Sequence, residues 1–334
     1  LAIPGAALFV LLGHHVRASI AIALAIPSGI SAFLVIGFLG ELLEGRRAAG
    51  LAVFGATCAA VLSVAYYPAL ANQLSPKEVF ESYEHIHQPG EPLALFGVGG
   101  RTAAYYAGGE PMIINEAGQA YRWLMEGNGQ RRFLAMRADE LPKLNQLYRE
   151  RANPRANIPV LDARSSQILL VASSLKPGEK NESPLDKMVL PDEPHPQHPM
   201  DVNMEDKLQV LGYDITDDKE KRVDGIAPSR KYKMHTYYRV LAPITTEWEA
   251  FIHIDGFHRR HNGDHKILDG KYPFSLWLPG DLIEDEYEFT LEPNFTPGAY
   301  TLYFGLFVGE SRLKVKSGPN DGDNRINGGP IRVQ

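Results

Sequence analysis

Four side chains suited to holding a metal ion fall in one short stretch, GFHRRHNGDHK: His258, His261, Asp264 and His265. Imidazole and carboxylate together favour zinc or a similar divalent ion, although a polar loop between strands would carry the same residues. A second stretch, GPNDGDNRINGG, offers Asp321 and Asp323 as oxygen donors of the kind that surround calcium. It does not follow the EF-hand register, so turns held by Asx hydrogen bonds are its default reading. Trp248, Tyr272 and Trp277 have flat faces that could stack on a sugar ring or fill a core. A divalent metal is the only cofactor these residues suggest.

Two other patterns carry less. Gly97, Gly99 and Gly100 follow an apolar run, and Glu116 lies beyond the next one, which invites a dinucleotide-binding turn. A GxGxxG register starting at Gly97 needs glycine where the chain has Thr102, so a tight strand-to-helix turn is the better account. The net charge of -6 argues against a nucleic-acid partner, because such binding depends on clustered Lys and Arg. The single cysteine, Cys58, excludes a disulfide and a Cys-ligated zinc site.

The elements that must position these residues differ along the chain. From 207 onward, KLQVLGYDI, YKMHTYYRVL, WEAFIHID, IEDEYEFTLE and AYTLYFGLFV read as strands separated by turns, which predicts an antiparallel β-sandwich over 206–334. Residues 175–205 mix Pro, Lys, Asp and Glu around His195 and His198, the composition of a linker. Over 75–174, LALFGV, PMIIN and RRFLAMR alternate with helical stretches and end in the pair of runs in NIPVLDARSSQILLVASS. This order predicts a small α/β domain.

Residues 1–74 contain only Arg17, Glu41, Glu44, Arg46 and Arg47 as charged groups. The uncharged runs 18–40 and 48–72 are each long enough to cross a bilayer, and 1–12 would complete a helix begun upstream. The expected fold class is therefore multidomain: C-terminal transmembrane helices, then the small α/β domain, then the antiparallel β-sandwich. Arg46 and Arg47 place the loop between the spans in the cytoplasm by the positive-inside tendency. His14, His15 and Arg17 form a competing positive cluster on the opposite loop.

The run HHVRASIAIALAIPSGISAFLVI, followed by LALFGVGGRTAAYYAGGEPMIINEAGQAYRWLMEG and RRFLAMRADELPKLNQLY, resembles the C-terminal part of bacterial GT-C membrane glycosyltransferases. The group in question contains the protein O-mannosyltransferases and aminoarabinose transferases. The tail from MEDKLQVLGYDI to FTPGAYTLYFGLFVG is similar to β-sandwich extensions appended to such proteins. The resemblance implies a bacterial inner-membrane enzyme with its soluble domains in the periplasm, a lipid bilayer around its helices, a polyprenyl-phosphate sugar donor and a glycan or protein acceptor. It makes His14, His15 and Arg17 candidates for contact with the lipid phosphate, an ordinary interfacial loop being the alternative. In that family the catalytic carboxylate precedes the region matched here, so no catalytic residue is assigned and these residues alone are expected to be inactive. The competing expectation is a non-catalytic, membrane-anchored envelope protein whose sandwich binds glycan or a protein partner.

Overall fold

The structure, a computed structural model, describes residues 45–67, 77–99, 101–107, 109–127 and 129–334. The predicted span 18–40, the run 1–12 and the phosphate-contact candidates His14, His15 and Arg17 lie outside these residues. The expectation of transmembrane helices is corrected: among the described residues no helix is long and apolar enough to cross a membrane. Within the predicted second span, α1 (Gly45–Val61) has 17 residues and gives way to a π-helical turn, Leu62–Tyr66. Positions 68–72 of the predicted second span lie outside the described residues. The membrane and GT-C descriptions therefore have no support among the described residues, which form mostly β-sheet.

The chain divides into two compact units. The first contains Trp123–Ala138 and Val160–Lys180 together with the chain up to Glu116. Its sheet has the order β2-β1-β3-β5-β4, formed by β1 (Leu93–Phe96), β2 (Met112–Ile114), β3 (Phe133–Arg137), β4 (Val160–Asp162) and β5 (Ile168–Ala172). β1 runs parallel to β2 and β3, whereas β3–β5 and β5–β4 are antiparallel. The sheet is covered by α2 (Lys77–Ile86), which buries Val79, Phe80 and Tyr83, spaced to lie along one face of a helix. The short α3 (Arg101–Tyr106) adds Ala103 to the same core, beside Leu93, Leu95, Phe133 and Leu170. Gly97 sits at the end of β1 with φ +65, where Arg137 passes close by, so glycine is needed for the turn itself. Asp162 is held by Arg164 and by the Ser82 hydroxyl, which donates to it at 2.5 Å.

The second unit comprises Ala117–Arg122, Asp139–Pro159 and Asn181–Gln334. It includes α5 (Leu141–Arg151) and the first six residues of α4 (Ala117–Met125), whose last three belong to the first unit. One sheet is six-stranded, β17-β7-β8-β10-β14-β6, and is antiparallel throughout. Its strands are β6 (Val189–Leu190), β7 (His198–Met204), β8 (Leu208–Asp217), β10 (Lys231–Val240), β14 (Leu282–Thr290) and β17 (Val315–Ser317). The other sheet follows the order β12-β11-β15-β18-β9, with β13 on β11 and β16 on β15. It uses β9 (Gly225–Ile226), β11 (Glu249–Gly256), β12 (Arg259–Asn262), β13 (His265–Lys266), β15 (Gly298–Val308), β16 (Ser311–Arg312) and β18 (Ile326–Val333). Residues 175–205, read as a linker, thus contribute β6 and β7 to a sheet and bury Leu185, Val189 and Val202.

The inner faces of the two sheets meet as a β-sandwich. Tyr213 of one sheet lies 5.7 Å from Phe304 of the other, and its hydroxyl donates to Gly328 O at 2.9 Å. Helix α5 joins this unit through charge. Arg149, 3% exposed, donates from Nε and Nη2 to Asp281 Oδ1 at 3.1 and 2.8 Å, while Asp281 Oδ2 accepts Leu278 N. Removing one partner strands the other charge in the interior. Arg149→Met should destabilise the second unit by about 3–5 kcal/mol in urea unfolding, and Arg149→Met with Asp281→Leu should recover most of that loss. Equal losses in the single and double variants would show that the pair is not the source.

Candidate functional site

Strand β10 is KYKMHTYYRV, and its alternation turns Tyr232, Met234, Thr236 and Tyr238 to the sandwich interior. Lys233, His235, Tyr237 and Arg239 therefore share the outer face. The register sets their neighbours: His235 lies opposite Asp214 on β8 and Glu286 on β14, and Tyr237 lies opposite Gly212 and Glu284. A β-bulge beside Gly212, whose φ is +142, fixes this register. A side chain at Gly212 would run into His198 O and Pro196.

Three linked clusters result. Asp214 Oδ2 accepts the Tyr237 hydroxyl at 3.1 Å and Arg222 Nη2 at 2.7 Å, while its Oδ1 accepts Gln197 N. Burial pushes the Tyr237 hydroxyl pKa up, and the Glu284 and Asp214 charges push it further, so it stays a donor. Beside it, His235 Nδ1 lies 2.9 Å from Glu284 Oε1 and Nε2 lies 3.0 Å from Thr216 Oγ1. Burial pulls the His235 pKa down, but the Glu284 hydrogen bond and the surrounding carboxylates outweigh it, leaving a net rise. In the third cluster the Lys233 ammonium bridges Glu220 Oε1 at 2.6 Å and Glu286 Oε1 at 3.0 Å.

Glu220 comes from the turn between β8 and β9, which is tied by its own first residue. Asp217 Oδ1 accepts the backbone N–H groups of Lys219 and Lys221, both at 2.9 Å, and Glu220 adopts φ +59 at the tip. The same turn walls a groove of about 750 Å³. Around that groove Lys219, Lys221 and Arg230 are exposed and form no ion pair among the described residues. Lys231, on the same wall, is paired with Glu288 at 2.7 Å.

The residues singled out from sequence do not converge. His258 is exposed at the β11–β12 turn, where it and Phe257 both have positive φ. His261 points inward, 5.7 Å from the Phe289 ring and 3.4 Å from Glu292 Oε1. Asp264 is exposed, 3.9 Å from His253 Nε2. His265 faces Asp285 instead, with Nε2 2.9 Å from Asp285 Oδ2 and Nδ1 3.0 Å from Gly263 O. Asp321 caps its own turn and pairs with Arg325, and Asp323 is exposed. Tyr272 and Trp277 are buried in the core, so neither offers a face to a sugar; Trp248 is half-buried. Among the described residues, the group that brings three such ligand atoms within 4.8 Å of one another is Glu220, His235 and Glu286. Sequence reasoning missed it, although the alternation of β10 already placed Lys233 and His235 on one face.

No family model matches the chain, and no curated protein matches it. Among solved structures, the C-terminal domain of wzt aligns at 12% identity and a TM-score of 0.28, covering 42% of this chain and 82% of that one. A CARDB domain from Pyrococcus furiosus, solved in complex with di-metal ions, aligns at 10% identity and a TM-score of 0.21, covering 43% and 95%. At these scores neither likeness carries an argument, and neither points to a GT-C glycosyltransferase.

Both partners of the His265 ring are acceptors, so both nitrogens donate and the ring is an imidazolium paired with Asp285. Burial pulls its pKa down, but the Asp285 hydrogen bond and charge prevail, and Asp269 adds to them; the net shift is upward. Its stabilising contribution is complete below the ordinary histidine value of about 6.5 and is lost as pH rises through the higher folded value. Between pH 6 and 9 the melting temperature of the wild type should therefore fall more steeply than that of His265→Gln. Parallel profiles would show that the pair is not charged in the folded state.

Proposed function

We propose that the β-sandwich is a non-catalytic binding module that takes an acidic glycan in the groove beside the β8–β9 turn. The observation that carries this reading is the set of exposed cations Lys219, Lys221 and Arg230, without an ion pair among the described residues, around a groove that Asp217, Asp218 and Asp224 also line, in a chain of net charge -6. Lys219, Lys221, Arg222, Arg230 and Lys231 on the wall outnumber its carboxylates, Asp217, Asp218 and Asp224, and this local positive balance favours an anionic ligand. Arg222 and Asp224 on the same wall supply donors and acceptors for hydroxyl groups, which a sugar provides and a simple anion does not. The wall is mainly charged and polar, which suits a saccharide better than the apolar anchors of a protein partner.

The glycosyltransferase reading drew its donor contact from His14, His15 and Arg17, outside the described residues. The binding reading has a groove behind it. Titrating the chain with hexagalacturonate and with neutral maltohexaose should give binding of the acidic sugar alone, weakening as salt is raised. Lys219→Glu combined with Arg230→Glu should reduce that affinity at least tenfold while leaving the circular dichroism spectrum unchanged, because both side chains are exposed. Equal binding of the two sugars, or no effect of the charge reversals, would count against an acidic glycan at this groove.

A further inference from the structure

We infer that Glu220, His235 and Glu286 form a zinc-type divalent cation site on the outer face of the β8–β10–β14 sheet, with the Lys233 ammonium as its resident, displaceable cation. The inference is independent of which ligand the groove takes. It starts from His235, which is 7% exposed and cannot rotate away from its partners. Its Nδ1–H donates to Glu284, fixing the ring so that Nε2 faces Thr216 Oγ1 at 3.0 Å and Glu220 Oε2 at 4.0 Å. A carboxylate behind an imidazole is the arrangement that orients a histidine ligand and raises its basicity.

The spacing also suits an ion. Two ligand atoms on tetrahedral zinc lie about 3.4 Å apart, given metal–ligand bonds of about 2.0–2.2 Å. Glu220 and His235 therefore need to close by roughly half an ångström. Glu220 stands on an exposed turn and Glu286 on the exposed side of its strand, so both carboxylates have room to make that adjustment. Glu286 Oε2 lies 4.0 Å from Nδ1, the nitrogen that Glu284 holds, so Glu286 has to swing towards Nε2 to share an ion with Glu220.

Lys233 marks where positive charge is wanted, because its ammonium spans both carboxylates. A flexible side chain can leave such a position when a divalent ion arrives with twice the charge. On release, the ammonium lies on the same strand as Lys231, whose partner Glu288 sits directly across from Lys233. Thr216 gives up its hydrogen bond to Nε2 and is free to donate to a metal-bound water. With one nitrogen and two carboxylates, the donor set favours zinc over magnesium, which prefers oxygen alone.

The experiment uses the whole chain, stripped with chelator, titrated calorimetrically with Zn²⁺ and separately with Mg²⁺. The expected result is a one-to-one zinc isotherm and at least tenfold weaker magnesium binding. His235→Asn should weaken zinc at least tenfold, and Glu220→Gln, on the exposed turn, should do the same if the histidine variant fails to fold. Lys233→Met is the decisive variant: removing the competing cation should tighten zinc binding at least tenfold. A salt bridge with only a structural role would give no such gain. Unchanged or weaker zinc binding by a folded Lys233→Met protein would overturn the inference, as would zinc binding indifferent to Glu220→Gln.

Discussion

Strand β10 lies between β8 and β14 and has both of its faces largely buried. One face enters an apolar core. The other carries His235 and Tyr237, which are covered by their neighbours rather than by solvent. Polar groups withdrawn from water must find partners or cost several kcal/mol each, of the order of 1–3 for an unmet hydrogen bond. That constraint dictates the composition of the flanking strands. Asp214 and Thr216 arrive from β8, Glu284 and Glu286 from β14, and Lys233 from β10 itself, each meeting a specific acceptor or donor.

The same rule governs the buried charges elsewhere in the second unit. Asp285 lies inside the sandwich because His265 and the Leu268 N–H both donate to it. Asp281 lies inside because Arg149 and the Leu278 N–H do the same. Each carboxylate ties a loop or helix to a strand, so these pairs specify where the irregular segments dock. Breaking one leaves an unsolvated charge, whereas replacing both members by apolar groups need cost little. Their value is in fixing geometry more than in net stability.

Much of the strand pattern was legible because period-two alternation is local. YKMHTYYRVL and AYTLYFGLFV cover β10 and β15 but for the first residue of each, and LALFGV contains β1. The membrane reading of 48–72 rested on hydropathy, which counts apolar residues without testing for a regular α-helix; within its described part the α-helix passes into a π turn at Leu62–Tyr66, and no described helix is long and apolar enough to cross a membrane. The histidine cluster failed for a related reason. His258, His261, Asp264 and His265 are close in sequence, but a hairpin and alternating strands send them to a turn tip, the interior, the surface and a buried aspartate. Glu220, His235 and Glu286 are far apart in sequence and meet only through strand register, which no local spacing reports. Trp277 and Tyr272 were ambiguous because an aromatic ring serves a core and a sugar equally well. Their mutual hydrogen bond, Trp277 Nε1 to Tyr272 O at 3.0 Å, belongs to a buried turn.

Satisfied and unsatisfied charges lie side by side in the second unit. On the outer face of β10 the described ions have counter-ions within hydrogen-bonding distance, so their local field is small. On the neighbouring wall, Lys219, Lys221 and Arg230 form no ion pair among the described residues, and they share the groove with Asp217, Asp218 and Asp224. The turn that carries Lys219 and Lys221 also carries Glu220, which reaches back into the satisfied network. Asp217, by accepting two N–H groups of that turn, fixes the backbone from which all three side chains project. A ligand drawn to the groove therefore meets cations whose backbone is anchored through Glu220 to the rigid face of the sheet, which lowers the ordering cost of binding.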